Sequence, residues 1–418
     1  MPEMVLANRN TNNTDKIAAI CGMIWFVLII DACFTWFMPD IIRNLLGTIF
    51  VMYATGLLMQ DHGLVFKREN YIMQISLSAI LLYIVLIKIM PFSLFIYFPL
   101  MCFVCWRQTA LAQMYKYFRS FVVFYAIISI IAELLVLSHL WISLPHIVLP
   151  PQDFVQENLG YDNYFYGFFC IPAPDSSISF YRACGPLREG GHWIFFLGFV
   201  YFVEKAIYGK RNVLLIVCGL LTLSPNFVVI FALTELYTAI IQKKFLKPLI
   251  TVLGGMCFVF FIFLLLPQTI KDEIIFIIFE RLLEQSIENA ESEGVMAILD
   301  GRTVYDGLLA YDRFVKSSFN IQLFGFDSFK DDEVLSDYRY YLMLYGYIGT
   351  ILTLWCSFLF SYRKERNYFG LFILIIALLI FIQRAWMFNH VYIWVIMLLS
   401  INVKSLTSPY GNNGKISK

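Results

Sequence analysis

Charge is what this chain has least of. Acidic and basic residues together make up 15% of it, against 60% hydrophobic, so a length of 418 residues does not translate into two or three soluble domains. The formal net charge is +1, with no concentrated basic face and no alternation of aromatic with basic residues, which speaks against a nucleic-acid partner. Histidine is rare: His62, His139, His146, His192 and His390 are scattered, without metal-ligand spacing. No Gly-rich phosphate loop follows a strand, and no G-x-S-x-G elbow occurs. No Asp-x-Asp pair is present to hold a divalent ion beside a sugar nucleotide. These gaps argue against a metal-dependent transferase with a cytosolic nucleotide donor. Internal repeats, low-complexity tracts and terminal lipidation signals are also missing.

What is there is a succession of apolar runs of about 20 residues, enough for a helix to cross a hydrocarbon core of roughly 30 Å. The pattern predicts an all-α polytopic membrane protein of about 12 spans. Their approximate limits are 17–37, 41–59, 71–90, 92–106, 120–143, 192–208, 212–223, 225–241, 247–266, 338–360, 368–382 and 389–402. Pro225 in "LTLSPNF" marks a turn between two short helices. The first apolar run follows Lys16 with no small-residue cleavage site after it, so it reads as a retained span.

Lys and Arg set the orientation. With the N-terminus inside, inner loops carry Lys67, Arg68, Arg107, Lys116, Arg119, Lys210, Arg211 and further basic residues; short outer loops hold only Arg43, Lys88 and Arg384. That bias puts both termini in the cytoplasm. The chain then divides into an N-terminal bundle (1–143, about five spans), a first outer loop (144–191), central spans (192–266), a second outer loop (267–337), C-terminal spans (338–402) and a cytoplasmic tail (403–418).

The two long outer loops hold most of the polar chemistry, and loops of this length usually fold or function. In the second, apolar residues from Ile274 to Ile287 recur at helical spacing between Lys271 and Ala290. This amphipathic helix either lies on the membrane boundary or packs on the bundle. Another helix is expected from near Asp300, with Tyr305, Leu308, Leu309 and Phe314 on one side. Of nine cysteines, seven lie in apolar spans as small hydrophobes. Cys170 and Cys184 share the first outer loop and would be able to pair in an oxidising compartment.

Arginines stand out against this background. "FYRACGPLREGGHW" carries Arg182 and Arg188 just before a span, and the second loop carries Arg302, in "ILDGRTVYDG", and Arg313. A guanidinium near a membrane surface offers a permanent charge and a planar fork of donors suited to a phosphate or diphosphate. The alternative is that these arginines meet lipid headgroups or loop acids. "GYDNYFYGFF" concentrates aromatics that either stack on sugar rings or form an interfacial belt.

The order of these features resembles the O-antigen polymerase and ligase superfamily, membrane glycosyltransferases acting on undecaprenyl-diphosphate-linked sugars. "YRACGPLREGGHWIFFLGF" resembles the family's Arg-containing stretch leading into a span, and "LLTLSPNFVVIF" its apolar run broken at a serine turn. "DGRTVYDGLLAYDRFVKSSFNIQLFGFDSF" resembles its Gly-Arg segment and the Leu-Phe-Gly that follows; "SDYRYYLMLYGYIGTIL" resembles its return into the membrane. The likeness covers roughly residues 170 to 360. Two departures are visible. Pro225 and Asn226 follow Ser224 where the family has an arginine or a small residue. Asp337 stands where ligases carry a histidine, which favours polymerase over ligase.

The resemblance implies a C-type glycosyltransferase-like fold and a bacterial inner-membrane enzyme with a periplasmic active site. It would need no cofactor and no metal, and a chain-length regulator protein would be its partner. The growing glycan moves from undecaprenyl diphosphate to the terminal sugar of a lipid-linked repeat unit. Fixed cations should face the leaving diphosphate: Arg182 and Arg302 first, then Arg188 and Arg313. The acceptor hydroxyl needs a base. Asp337 is the first candidate, with a helix N-cap as its alternative role; Glu189, Asp300 and Asp327 compete. Tyr305, Tyr338 and Glu189 are candidate glycan contacts. A rival class is a lipid-glycan flippase or transporter, which would place ionisable residues inside the spans. Only Asp31, Glu133 and Glu235 stand out there.

Overall fold

The computed structural model describes residues 13–150, 162–173, 180, 182–187, 190–243, 250, 254, 261, 263–275, 305–326, 337–363, 367–389 and 391–407. In chain order it begins with α1 (Asn13–Ile29), α2 (Asp40–Gln60), α3 (Arg68–Leu82), α4 (Leu94–Cys105) and α5 (Gln108–Leu137). Three short strands follow, β1 (Ile147–Leu149), β2 (Asp162–Phe165) and β3 (Cys170–Ala173). Then come α6 (Gly190–Tyr208), α7 (Val213–Leu221), α8 (Pro225–Gln242), α9 (Gln268–Ile275), α10 (Tyr305–Val315) and α11 (Phe319–Phe324). The chain closes with α12 (Tyr338–Phe358), α13 (Tyr368–Arg384) and α14 (Tyr392–Thr407). Six of the described helices are long and apolar enough to cross a membrane: α2, α3 with its continuation to Ile87, α5, α8, α12 and α13 with their continuations. This matches an all-α membrane protein with one small sheet added.

The chain forms two compact units. The first holds residues up to Phe121, the stretch Phe319–Asp327 and everything from Tyr341 on. Here α1 packs on α2 through Gly47, where a Cβ would lie 2.8 Å from the Trp25 ring. Arginines tie this pair at both ends. Arg43 binds Asp31 and Asp40, and Arg107 binds Asp15 at 2.5 Å and Asp61 at 2.8 Å. The first turns of α5 run along α1, with the Phe26 and Phe118 rings 5.3 Å apart and Met114 against Gly22. Lys116 and Arg119 therefore lie on a helix and not in an inner loop. Buried Leu111, Met114 and Phe118 recur at intervals of three and four residues, the spacing of one helix face. At about 1.5 Å per residue α5 reaches about 45 Å, well beyond a bilayer core.

α12 is broken within this unit. Gly346 sits at φ 59°, ψ −170°, a conformation open essentially to glycine alone. The break is filled by the end of α11 and the residues after it. Phe326 N–H donates to Met343 O at 2.7 Å, and the Tyr83 hydroxyl lies 2.6 Å from Tyr345 O and 3.0 Å from Phe324 O. A Cβ on Gly325, itself at φ 78°, would come 2.5 Å from Leu344 O. The two glycines let two backbones touch, which satisfies carbonyls that the broken helix leaves open. Buried Lys88 adds a 2.9 Å bond to Phe326 O.

The second unit holds Val122–Ser318 and Ser328–Tyr340. Its strands form an antiparallel meander in the order β1–β2–β3, a feature the all-α expectation omitted. The runs are three or four residues long, too short for a period of two to show in the sequence. Trp141 and Tyr164 meet edge to face at 4.8 Å, and His146 lies between Tyr164 and Tyr166. The Tyr166 hydroxyl donates to Trp141 O, and burial pushes this phenol above its ordinary range. α6 packs on α8 through Gly198 and Ile230. Buried Glu235 accepts from Arg211 at 3.0 Å and from the Tyr201 hydroxyl at 3.3 Å. α10 begins at Tyr305 and buries Gly307, Ala310 and Phe314 but exposes Leu309, so its inner face is rotated from the expected one. α9 covers the first part of the expected amphipathic helix; the rest, from 276, lies outside the described residues.

Candidate functional site

Arg182 reaches its place because three chain segments close on one another. α7 ends at Leu221, and Leu223 turns with φ 47° before Pro225 takes the first position of α8. Proline there costs nothing, since its missing N–H would have had no helical partner. The turn leaves carbonyls at the C-terminus of α7 without helical partners. Ala183 N–H donates to Leu221 O at 3.1 Å, and Arg182 Nε donates to Thr222 O at 3.2 Å. A cation beside a helix C-terminus is also favoured by the helix dipole. Glycine permits the approach. A Cβ on Gly190 would stand 2.9 Å from Ala183 O, and one on Gly185, at φ 61°, would stand 2.5 Å from the Trp193 ring. The serine turn and the Arg-containing stretch, far apart in sequence, are thus packed together.

Asp337 is buried at the head of α12, with Arg339 equally buried beside it (7% and 6% exposed). Asp337 Oδ1 accepts the Arg339 backbone N–H at 2.8 Å, the arrangement of a helix N-cap. Its Oδ2 accepts from Arg339 Nε at 3.0 Å and from the terminal nitrogen at 2.5 Å. The guanidinium also lies 5.8 Å above the Tyr311 ring of α10. Both carboxylate oxygens are therefore engaged, and the N-cap alternative describes the geometry seen. Proton transfer to Asp337 would require Arg339 to release one oxygen.

The other sequence candidates are less concentrated. Arg313 is exposed in the last turn of α10, and Tyr338 is half-buried as the first residue of α12. Tyr305 opens α10. Arg188, Glu189, Arg302, Asp300 and Asp327 lie outside the described residues. Cys184 Sγ comes 3.9 Å from Cys170 O, and both cysteines are buried and not joined by a disulfide. Sequence reasoning missed Arg339, Tyr311 and Thr222. Arg339 did leave a signal, a charge inside an apolar run two residues after an acid, and such charges are usually paired.

No protein-family model, no curated protein and no solved structure matches the chain.

Proposed function

We propose that the protein is a polysaccharide polymerase of the O-antigen type. In this reading it is a bacterial inner-membrane protein of about 12 spans with cytoplasmic termini, and it works at the periplasmic face. The acceptor sugar hydroxyl attacks the anomeric carbon of a glycan carried on undecaprenyl diphosphate. A new C–O bond forms and the C–O bond to the diphosphate breaks. The leaving diphosphate takes the electron pair, and a carboxylate takes the hydroxyl proton. No nucleotide or metal enters.

The observation that carries this reading is the seat of Arg182. It is held at the turn between α7 and α8 by Thr222 O; in this reading that turn lies at the foot of the first outer loop, where a lipid-linked diphosphate would present its charge. Arg302 is its proposed partner on the leaving group, with Arg188 and Arg313 behind them. Asp337 takes the proton once Arg339 releases it, and Glu189 is the next acid. Tyr305 and Tyr338 contact the glycan. A chain-length regulator is the protein partner. Transport is the weaker alternative, because Asp31 and Glu235 are each bound by an arginine and so serve the fold.

The direct test is purified protein with a synthetic undecaprenyl-diphosphate-linked repeat unit, chelator present and nucleotide withheld. A ladder of polymer lengths is expected. Unchanged starting material from folded protein would overturn the assignment.

A further inference from the structure

The segment after α5 exposes apolar side chains that water disfavours. On α5 itself Phe124, Ile127, Ile131, Leu134 and Leu137 are exposed at intervals of three and four residues, one stripe on one face. On a helix apolar enough to cross a membrane, that stripe is the side suited to lipid. It does not stop where the helix stops. Leu140, Ile142, Leu144, Ile147 and Val148 are exposed as well. Ile147 and Val148, 58% and 51% exposed, are neighbours on β1 and point to opposite faces of the sheet. From Ser120 to Gln152 the only charged residue is Glu133, and it is buried.

The meander also turns back along α5 instead of standing beyond its end. The Tyr125 hydroxyl donates to Phe168 O at 3.0 Å, and the Phe168 ring lies 6.3 Å from Phe124. Tyr125 is 12 residues before the end of α5, about 18 Å down the helix. α6 begins at the same level, with Trp193 6.4 Å from Tyr125.

We propose that this meander lies in the membrane surface, with residues 140–148 at the boundary between acyl chains and headgroups. The partner is a lipid surface, continuous with the lipid face of α5. The depth follows from the backbone. β1 is an edge strand, and hydrocarbon cannot satisfy its open N–H and C=O groups, whereas headgroups and interfacial water can. Pro145, Pro150 and Pro151 remove donors on both flanks. Ser138, His139 and Ser143, exposed among the apolar residues, suit the headgroup side. This inference needs the chain to be in a membrane; it does not need the polymerase reading.

The test is a nitroxide attached at Ile147→Cys, and separately at Val148→Cys, in full-length protein reconstituted into phosphatidylethanolamine–phosphatidylglycerol vesicles. Unmodified protein treated alike supplies the background from native cysteines. Collisions with dissolved oxygen should exceed collisions with a water-soluble nickel chelate, and nitroxide-bearing lipids should broaden the spectrum. The reverse ratio would overturn the proposal. So would spin–spin broadening that disappears on dilution with unlabelled protein, because a second copy would then cover the strand. Leu144→Cys reports on the same surface should a label on β1 disturb the fold.

Discussion

Two arginines of the first compact unit and two of the second are held differently. In the first, Arg43 and Arg107 each bind two carboxylates and tie α1 to α2 at either end. In the second, Arg182 donates to a backbone carbonyl, and Arg339 spans a carboxylate and an aromatic face. An arginine between two acids has its charge matched by the protein. The bond from Arg182 to a carbonyl oxygen, by contrast, pairs it with no opposite charge of its own. The residue type is the same, and its partners decide whether it staples helices or is proposed to greet an anion.

Substitutions can break or sharpen that contrast. The largest effect is expected outside it, at Gly346→Ala. A side chain there needs a disfavoured φ and would come 2.5 Å from the Gly325 nitrogen. A loss above about 3 kcal/mol is expected, seen as near-absence of protein from the membrane fraction. Next is Arg107→Ala, which strands buried Asp15 without its partner and should cost about 3–5 kcal/mol, read as loss of abundance and of thermal stability in detergent. Arg339→Ala should cost a similar amount by leaving Asp337 buried, whereas Asp337→Asn with Arg339→Gln together should regain most of it. If the double variant regains stability and also makes long chains, Asp337 is a cap and not the base. Smallest in stability is Arg182→Lys, about 1 kcal/mol for one hydrogen bond. Under the proposed function its glycan product should nonetheless shorten to single repeat units at normal abundance. Under the proposed function Arg302→Ala should do the same, and unshortened chains would remove both arginines from the reaction.

Legibility in the sequence followed the range of the forces involved. α2 and α13 came out within two residues because apolar runs end where charge begins. The break before α8 was visible because Pro225 permits few alternatives. The start of α5 is hidden in the sequence because Lys116 and Arg119 mask a buried face that only contact with α1 reveals. The meander and the gap in α12 depend on pairing between distant segments, and no local pattern records that. Arg182 stood out as a charge beside a span; that Thr222 would hold it did not. Asp337 was legible as an acid at a helix start, but not the partner two residues on that binds both its oxygens.

The bond between Phe326 and Met343 joins the chain across the stretch 327–342. Asp337 caps α12 and Arg339 lies in its first turn within that stretch, while Gly325 and Gly346 stand at its base. Lengthening a loop whose ends are already joined adds little entropic cost. Changing a residue of the base shifts two backbones at once. Variation should therefore accumulate within the loop and be purged at its base, so that one scaffold accommodates many loop sequences. Grafting the stretch between Phe326 and Met343 from one such chain to another would then carry its surface chemistry across with the helices left in register.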